Sequence, residues 1–110
     1  MSSVQKWSIT KCHLLRKLVD DLGRLGSLRM LRIYACLGLK ELPTSIGKLG
    51  KLEYIDISLC ECLKELPEEL RQLKELEELD MRECSRLRTL PKSVGGLKSL
   101  KHAICDEKMR

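Results

Sequence analysis

The sequence predicts an α/β solenoid, a chain wound into successive short coils, and three observations support this prediction. The phrase Leu-x-x-Leu-Pro occurs at 39–43, 63–67 and 87–91, so the pattern repeats every 24 residues. Leucine dominates the apolar content, and the chain contains no phenylalanine. Charged residues make up 34% of the sequence, which favours a thin repetitive core beneath a large wetted surface. A unit this short cannot bury its apolar face alone, so we expect neighbouring coils to complete the core.

The 24-residue register divides the single domain into four full units and a partial fifth. The units cover, in order, residues 4–27, 28–51, 52–75, 76–99 and 100–110. The first unit has Val19 at the place where the later full units have proline. A period of 24 falls in the range of leucine-rich repeats.

Each unit opens with an L-x-x-L-x-L pattern that predicts a short strand. Alternation along a strand turns the fourth and sixth residues of the unit inward, as for Leu31 and Ile33, and turns their neighbours outward. Consecutive units then stack their strands about 4.8 Å apart in a parallel sheet. We expect this sheet to form the concave face of the solenoid.

The proline of each unit predicts where the chain leaves the sheet. Proline cannot donate a hydrogen bond within a sheet, so Pro43, Pro67 and Pro91 must follow the strands on the returning convex side. The segments TSIGKLG, EELRQLK and KSVGGLK then have room for one or two helical or 3-10 turns. Glu68 and Glu69 suit the start of such a turn, because acidic residues favour a helix N-terminus.

Four cysteines recur at the 24-residue spacing and predict a structural ladder along the solenoid axis. They are Cys12, Cys36, Cys60 and Cys84. A small inward side chain at this place of the repeat supports the loop that leaves the strand. Neighbouring strand positions are close enough for a disulfide, but the lack of an export signal favours reduced thiols. We expect no zinc site, because only Cys60 of the pair Cys60 and Cys62 should face inward.

Other chemistry finds little support, and we expect neither an enzyme nor a cofactor, a metal ion or a small-molecule substrate. His13 and His102 lack the neighbouring nucleophile and carboxylate of a catalytic triad. The basic stretch 28–51 and the acidic stretch 52–75 alternate, and aromatic residues are few, which argues against nucleic acid. No apolar run is long enough to span a bilayer, so we expect no transmembrane segment.

The outward strand residues form the candidate protein-binding surface on the concave face. They are Met30, Arg32, Tyr34, Tyr54, Asp56, Glu78, Asp80 and Arg82. Exposed aromatic residues and arginine are typical anchors of protein interfaces, which favours a patch around Tyr34 and Tyr54. The alternative is that each of these is merely a solvated strand residue. For the face as a whole we favour binding, because the strand face is the usual working surface of a solenoid.

Two segments resemble the leucine-rich-repeat domain of plant intracellular nucleotide-binding disease resistance proteins. They are SLRMLRIYACLGLKELPTSIGKL and KLEYIDISLCECLKELPEELRQL. The closing LPKSVGGLKSLKHAICDEK is most similar to the C-terminal repeats of the helper group, which has a powdery-mildew-resistance-type N-terminal domain. The resemblance implies a protein-interaction module of innate immunity in the cytoplasm, with the nucleus as a second location. The partners it implies are the nucleotide-binding switch domain of the parent receptor and lipase-like immune signalling proteins.

The departures from this family limit what the resemblance implies. The nucleotide-binding loop and the N-terminal helical domain are absent from this sequence, so nucleotide binding is not carried over. We expect a C-terminal fragment or short paralogue of a helper-type receptor. One alternative is an intracellular Ras-group leucine-rich-repeat scaffold, although that group usually has a 23-residue repeat with asparagine in the ladder. Another is a regulatory or degenerate fragment without a partner of its own.

Overall fold

The computed structural model describes residues 6–10, 26–87, 97 and 99–104, and within these ranges the chain forms one parallel sheet. Its strands are β1 (Lys6–Thr10), β2 (Met30–Tyr34), β3 (Tyr54–Asp56), β4 (Glu78–Asp80) and β5 (His102–Ile104). They lie in the sheet in chain order. The register pairs Met30 with Tyr54 and Tyr54 with Glu78, so one step of 24 residues moves the chain by one strand. The predicted parallel sheet is therefore present.

Two 3-10 helices return the chain after the strands, at Thr44–Lys48 and Glu68–Gln72. Each follows a proline in extended conformation, Pro43 with ψ 149° and Pro67 with ψ 149°. Extended backbone at proline ends the strand side of the coil, and the fixed φ of the ring then leads into the helical turn. The third predicted segment, 92–98, lies outside the described residues except for Leu97.

The core lies between the sheet and the returning segments and repeats from unit to unit. Three groups of inward side chains have no solvent exposure: Leu31, Ile55 and Leu79; Ile33, Ile57 and Met81; Leu39, Leu63 and Leu87. Both leucines of the Leu-x-x-Leu-Pro phrase are buried in the described units, because Leu42 and Leu66 are at most 5% exposed. Full burial of one such side chain contributes about 1.5–3 kcal/mol, so consecutive coils stabilise each other substantially.

The two 3-10 helices approach each other closely at Gly47. A Cβ atom built there would lie 2.5 Å from Oε1 of Gln72 and 2.8 Å from the carbonyl oxygen of Glu69. The second distance matters more, because a backbone atom cannot move aside as a flexible side chain can. Gly50, two residues after the helix, has no atom within 4 Å of its equivalent position. The packing of consecutive coils therefore requires glycine at 47 and not at 50.

Candidate protein-binding face

A left-handed residue follows β2 and recurs in the next two units, and it sets the direction in which the chain leaves the sheet. These residues are Ala35, Leu59 and Glu83, with φ of 57°, 62° and 57°. The backbone N–H of Ala35 donates to the carbonyl oxygen of Ser58 at 3.0 Å, and that of Leu59 to Arg82 at 2.9 Å. A left-handed conformation costs a non-glycine residue about 1–3 kcal/mol, so these bonds between coils help to hold the turn. The residue types carry no signal for it, since none is glycine or asparagine.

The cysteine that follows each of these turns lies in the core. Cys36, Cys60 and Cys84 are thiols that form no disulfide, and they have no solvent exposure. The thiol of Cys60 donates to the carbonyl oxygen of Ile33 at 3.0 Å, and that of Cys84 donates to Ile57 at 2.9 Å. Each bond links a turn to the preceding coil. Burial raises the pKa of the Cys60 thiol to about 12, so it stays protonated at neutral pH and is a poor nucleophile. Cys12, the first predicted member of the ladder, lies outside the described residues.

Met30, Tyr54 and Glu78 lie side by side on the outward face of the sheet. The strand register aligns them on β2, β3 and β4, and each is half-buried. Burial raises the pKa of Tyr54, and the nearby carboxylates of Asp56, Asp80 and Glu78 raise it further. The positive charge of Arg32 lowers this pKa to a smaller extent, so the acidic neighbours dominate the potential at the ring of Tyr54.

Asp56 and Asp80 were expected on an exposed surface, and the structure corrects this expectation. They are only 4% and 3% exposed, although they lie on the outward face. The reason at Asp56 is a local hydrogen-bond network. The backbone N–H and the hydroxyl of Ser58 donate to Oδ1 of Asp56 at 2.9 and 2.6 Å, and Nε of Arg32 donates to Oδ2 at 3.2 Å. An aspartate that accepts from the backbone two residues on stabilises a turn, so Asp56 has a structural role.

Asp80, on the next strand, accepts a similar set of hydrogen bonds, and these come from Arg82. The backbone N–H of Arg82 donates to Oδ1 of Asp80 at 3.2 Å, Nε donates to Oδ1 at 3.0 Å, and Nη2 donates to Oδ2 at 2.8 Å. Burial by itself would raise the pKa of Asp80, but the hydrogen bonds and the positive charge of Arg82 outweigh it, and the pKa is lowered. The same contacts raise the pKa of Arg82. Two carboxylates on neighbouring strands are thereby each compensated by an arginine.

Arg32 also stacks on Tyr34, which makes it the centre of a cluster on the sheet face. The guanidinium carbon lies 4.8 Å from the centre of the Tyr34 ring, within the range of a cation–π contact. Tyr34 in turn borders a depression of about 190 Å³ at the ends of the strands. Ser58, Leu59, Arg82 and Glu83 line the rest of it. Arg32 is therefore held from two sides, by the Asp56 carboxylate and by the aromatic ring.

Six of the eight predicted binding residues retain accessible surface on this face. They are Met30, Arg32, Tyr34, Tyr54, Glu78 and Arg82. Ser58 was not among the predicted binding residues, and the structure shows that it is buried and completes the Asp56 network. The sequence Asp-x-Ser at 56–58 was the available signal, because an aspartate two residues before a turn N–H is typical of such turns.

Comparison with known proteins shows the fold of this chain. No protein-family model and no curated protein matches its sequence. A leucine-rich-repeat protein of Leptospira interrogans, of solved structure, superimposes with a TM-score of 0.59 over 92% of this chain, at 24% identity. The fold is that of a leucine-rich-repeat solenoid. The alignment covers 31% of the Leptospira protein, so the chain spans less than a third of that protein.

A second solved structure in the comparison is also built of leucine-rich repeats. It is the leucine-rich-repeat domain of the type III effector XopL, which is 18% identical to this chain. The alignment covers 94% of this chain and 69% of that domain, with a TM-score of 0.38. This score is too low to bear on the fold.

Within the described ranges, no helix combines the length and the apolar content that crossing a bilayer requires. Among the same residues, no three or more histidine, cysteine, aspartate or glutamate side chains come together as a metal site.

Proposed function

We propose that this chain is a protein-interaction module and that the outward face of its sheet is the binding surface. The observation that carries the proposal is the register that aligns Met30, Tyr54 and Glu78 on neighbouring strands, beside Arg32 stacked on Tyr34. Aromatic and arginine side chains with apolar neighbours are the groups that contribute most to protein interfaces. The leucine-rich-repeat fold of the Leptospira protein supports the proposal at the level of architecture only. The role is one of binding and not of catalysis.

The geometry of the face supports this role because its side chains are held in place before a partner arrives. Arg32 is fixed by the Asp56 carboxylate at 3.2 Å and by the Tyr34 ring, and Arg82 is fixed by Asp80 at 2.8 Å. Ordering a mobile side chain at an interface costs about 0.5–1.5 kcal/mol, so side chains that are already ordered bind with less loss of entropy.

We assign the module to a plant disease resistance protein of innate immunity, as a C-terminal fragment or short paralogue of a helper-type receptor. The support is the order of residues in SLRMLRIYACLGLKELPTSIGKL and in the closing LPKSVGGLKSLKHAICDEK, which resemble that group. The partners under this proposal are the nucleotide-binding switch domain of the parent receptor and lipase-like immune signalling proteins, in the cytoplasm and the nucleus. A Ras-group scaffold is the alternative.

Affinity capture from plant extract tests the binding role with two matched variants. The face variant combines Tyr34→Ala and Tyr54→Ala, and the control combines Lys48→Ala and Glu68→Ala on the 3-10 helices. We expect quantitative mass spectrometry to show that the face variant loses captured partners about tenfold or more, as loss of interface anchors does. The control should retain them. Equal capture by the wild type and the face variant, with both folded by circular dichroism, would refute the sheet face as the binding surface.

The identity of the captured proteins tests the finer assignment. Lipase-like signalling proteins or a nucleotide-binding domain would support the immune role, whereas small GTPases would favour the Ras-group alternative. The genomic sequence upstream of the codon for Met1 gives an independent check. A nucleotide-binding loop in the same reading frame would support the receptor assignment, and an in-frame stop would argue for a short protein.

A further inference from the structure

The charged side chains on and beside the strands are mostly paired with one another. The ion pairs between described residues include Arg29–Glu53, Arg32–Asp56, Arg82–Asp80 and Lys101–Glu77. Glu78 differs, because its carboxylate has no ion pair or hydrogen bond with any other residue that the structure describes. His102 is the direct neighbour of Glu78 on β5 but forms no ion pair with it, and Lys6, the outward cation of β1, is three strands away, or about 14 Å at the usual strand spacing. An uncompensated carboxylate therefore lies half-buried on the sheet face.

Tyr54 is the direct neighbour of Glu78 on the adjacent strand and is also without a polar partner among the described residues. Its ring is half-buried, and its neighbour on the other side, on β2, is Met30. Three acidic side chains raise its pKa in addition to burial, so a positive charge at this place would be attracted. The row of Met30, Tyr54 and Glu78 thus presents an apolar group, an aromatic ring and a free carboxylate on consecutive strands.

Beside these three residues, the sheet face already contains an aromatic ring and a carboxylate that bind an arginine of the chain itself. There the guanidinium of Arg32 stacks at 4.8 Å on Tyr34 and donates at 3.2 Å to the carboxylate of Asp56. Tyr54 and Glu78 supply the ring and the carboxylate again, but no cation from the described residues lies between them. Arginine suits both requirements, because its planar guanidinium stacks on a ring while its N–H groups bind a carboxylate.

We propose that Tyr54 and Glu78 receive an arginine side chain of the partner protein, whose aliphatic stem packs on Met30. This inference rests on the proposed function, since it names the kind of group that the binding face takes. The partner is a protein that presents an exposed arginine among apolar residues. The acidic stretch 52–75 attracts such a partner over a longer range.

A short peptide tests this site without knowledge of the partner. The probe is acetyl-Leu-Arg-Leu-Arg-Leu-amide, and its control replaces both arginines by citrulline, which has a similar shape and no charge. The full chain is labelled with nitrogen-15, and each peptide is added in increasing amounts at mildly alkaline pH. We expect the arginine peptide, at millimolar concentration, to shift the amide signals of Met30, Tyr54 and Glu78. The citrulline peptide should bind about tenfold more weakly, the factor that corresponds to loss of one charged hydrogen bond.

Two variants assign the effect to the carboxylate. Glu78→Gln should weaken binding of the arginine peptide about tenfold, whereas Glu61→Gln, which removes an exposed carboxylate from a loop, should leave it unchanged. Both should give wild-type circular dichroism. No shift at the Tyr54 and Glu78 signals, or equal binding by the wild type and Glu78→Gln, overturns the arginine site.

The capture experiment separates the failure of this inference from that of the proposed function. If capture depends on Tyr34 and Tyr54 while the peptide does not bind, the sheet face is the binding surface but takes no arginine at this place. If capture is also independent of the face, the proposed function itself fails. A peptide that binds with shifts centred on the 3-10 helices at Thr44–Lys48 and Glu68–Gln72 would overturn the arginine site, while the capture experiment would still decide the proposed function.

Discussion

The two faces of β2, β3 and β4 consist of alternating residues of the same strands, yet the residue types vary little on one face and widely on the other. On the inward face Leu31, Ile55 and Leu79 have no solvent exposure and are close in size and chemistry. On the outward face the same three strands carry a thioether, a phenol and a carboxylate at Met30, Tyr54 and Glu78. Contact with the coils above and below restricts the inward positions, because a core at crystal-like packing density tolerates few changes of volume. The outward positions are free to differ, and the proposed binding role depends on such differences.

The outward face is itself divided, and this division is what the structure adds. Asp56 and Asp80 point to the same side as Glu78 but are almost completely buried, each under an arginine and bound to the turn that follows its strand. Side-chain direction and exposure are therefore separate properties on this sheet. Residues that stabilise the turn alternate with residues that remain available to a partner.

The largest expected effect is the loss of inward packing in Ile55→Ala. Ile55 is completely buried in the middle of the sheet, so its truncation leaves a cavity and should lower the free energy of unfolding by about 2–5 kcal/mol. Met30→Ala on the outward face should cost about 1 kcal/mol or less, since Met30 is only half-buried. Urea unfolding followed by circular dichroism measures both. Similar losses of unfolding free energy in the two variants would contradict the difference in packing between the two faces.

Asp56→Ala should show that an outward residue can be as structural as an inward one. The change removes the acceptor of three hydrogen bonds, from Ser58 and Arg32, and should cost about 1.5–3 kcal/mol. Glu78→Ala, on the same face without such bonds, should stay within about 0.5 kcal/mol of the wild type. The comparison uses the same urea unfolding. A Glu78→Ala variant as unstable as Asp56→Ala would contradict the division of the outward face.

Gly47→Ala tests whether tight packing extends to the returning side of the coil. The added methyl group would meet the backbone oxygen of Glu69 at 2.8 Å, so the two 3-10 helices must separate, at a cost of about 1–3 kcal/mol. Gly50→Ala is the matched control, because it has free space and no positive φ, and it should raise stability by about 0.4–1 kcal/mol. Thermal unfolding resolves the opposite signs. A stable Gly47→Ala variant would mean that the helices are packed more loosely.

The smallest expected effect is the contribution of Asp80 to stability in acid. Its pKa is lowered in the folded state, so the unfolded chain binds a proton at this carboxyl first, near its ordinary pKa of about 3.9. The stabilisation is present above that pH and is lost as the pH falls through the folded-state pKa. Unfolding midpoints in urea, measured from about pH 6 to about pH 3, should fall less steeply for Asp80→Asn than for the wild type. Glu61→Gln should retain the slope of the wild type, and an unchanged slope in Asp80→Asn would rule out this contribution.

Much of the fold could be predicted because its signals are local or periodic. The spacing of 24 residues between leucines predicted the register that pairs Leu31 with Ile55 and Ile55 with Leu79. Proline at 43 and 67 marked the end of the sheet side, since the absence of an N–H group acts wherever the residue stands. The accessible part of the proposed binding face followed from the same alternation. Which of its residues bind a partner stays a prediction.

By itself the sequence determined the repeat, the direction of each side chain and the alternation of apolar and polar faces, because these depend on the order of residue types. Only the tertiary structure decided that Asp56 is buried while Glu78 is accessible, and that Leu59 takes a left-handed conformation. Both outcomes depend on hydrogen bonds from groups that the fold brings together. An outward carboxylate is buried when the fold brings an arginine or a turn N–H group next to it, and otherwise it stays available to a partner. Residue spacing alone does not specify those three-dimensional positions.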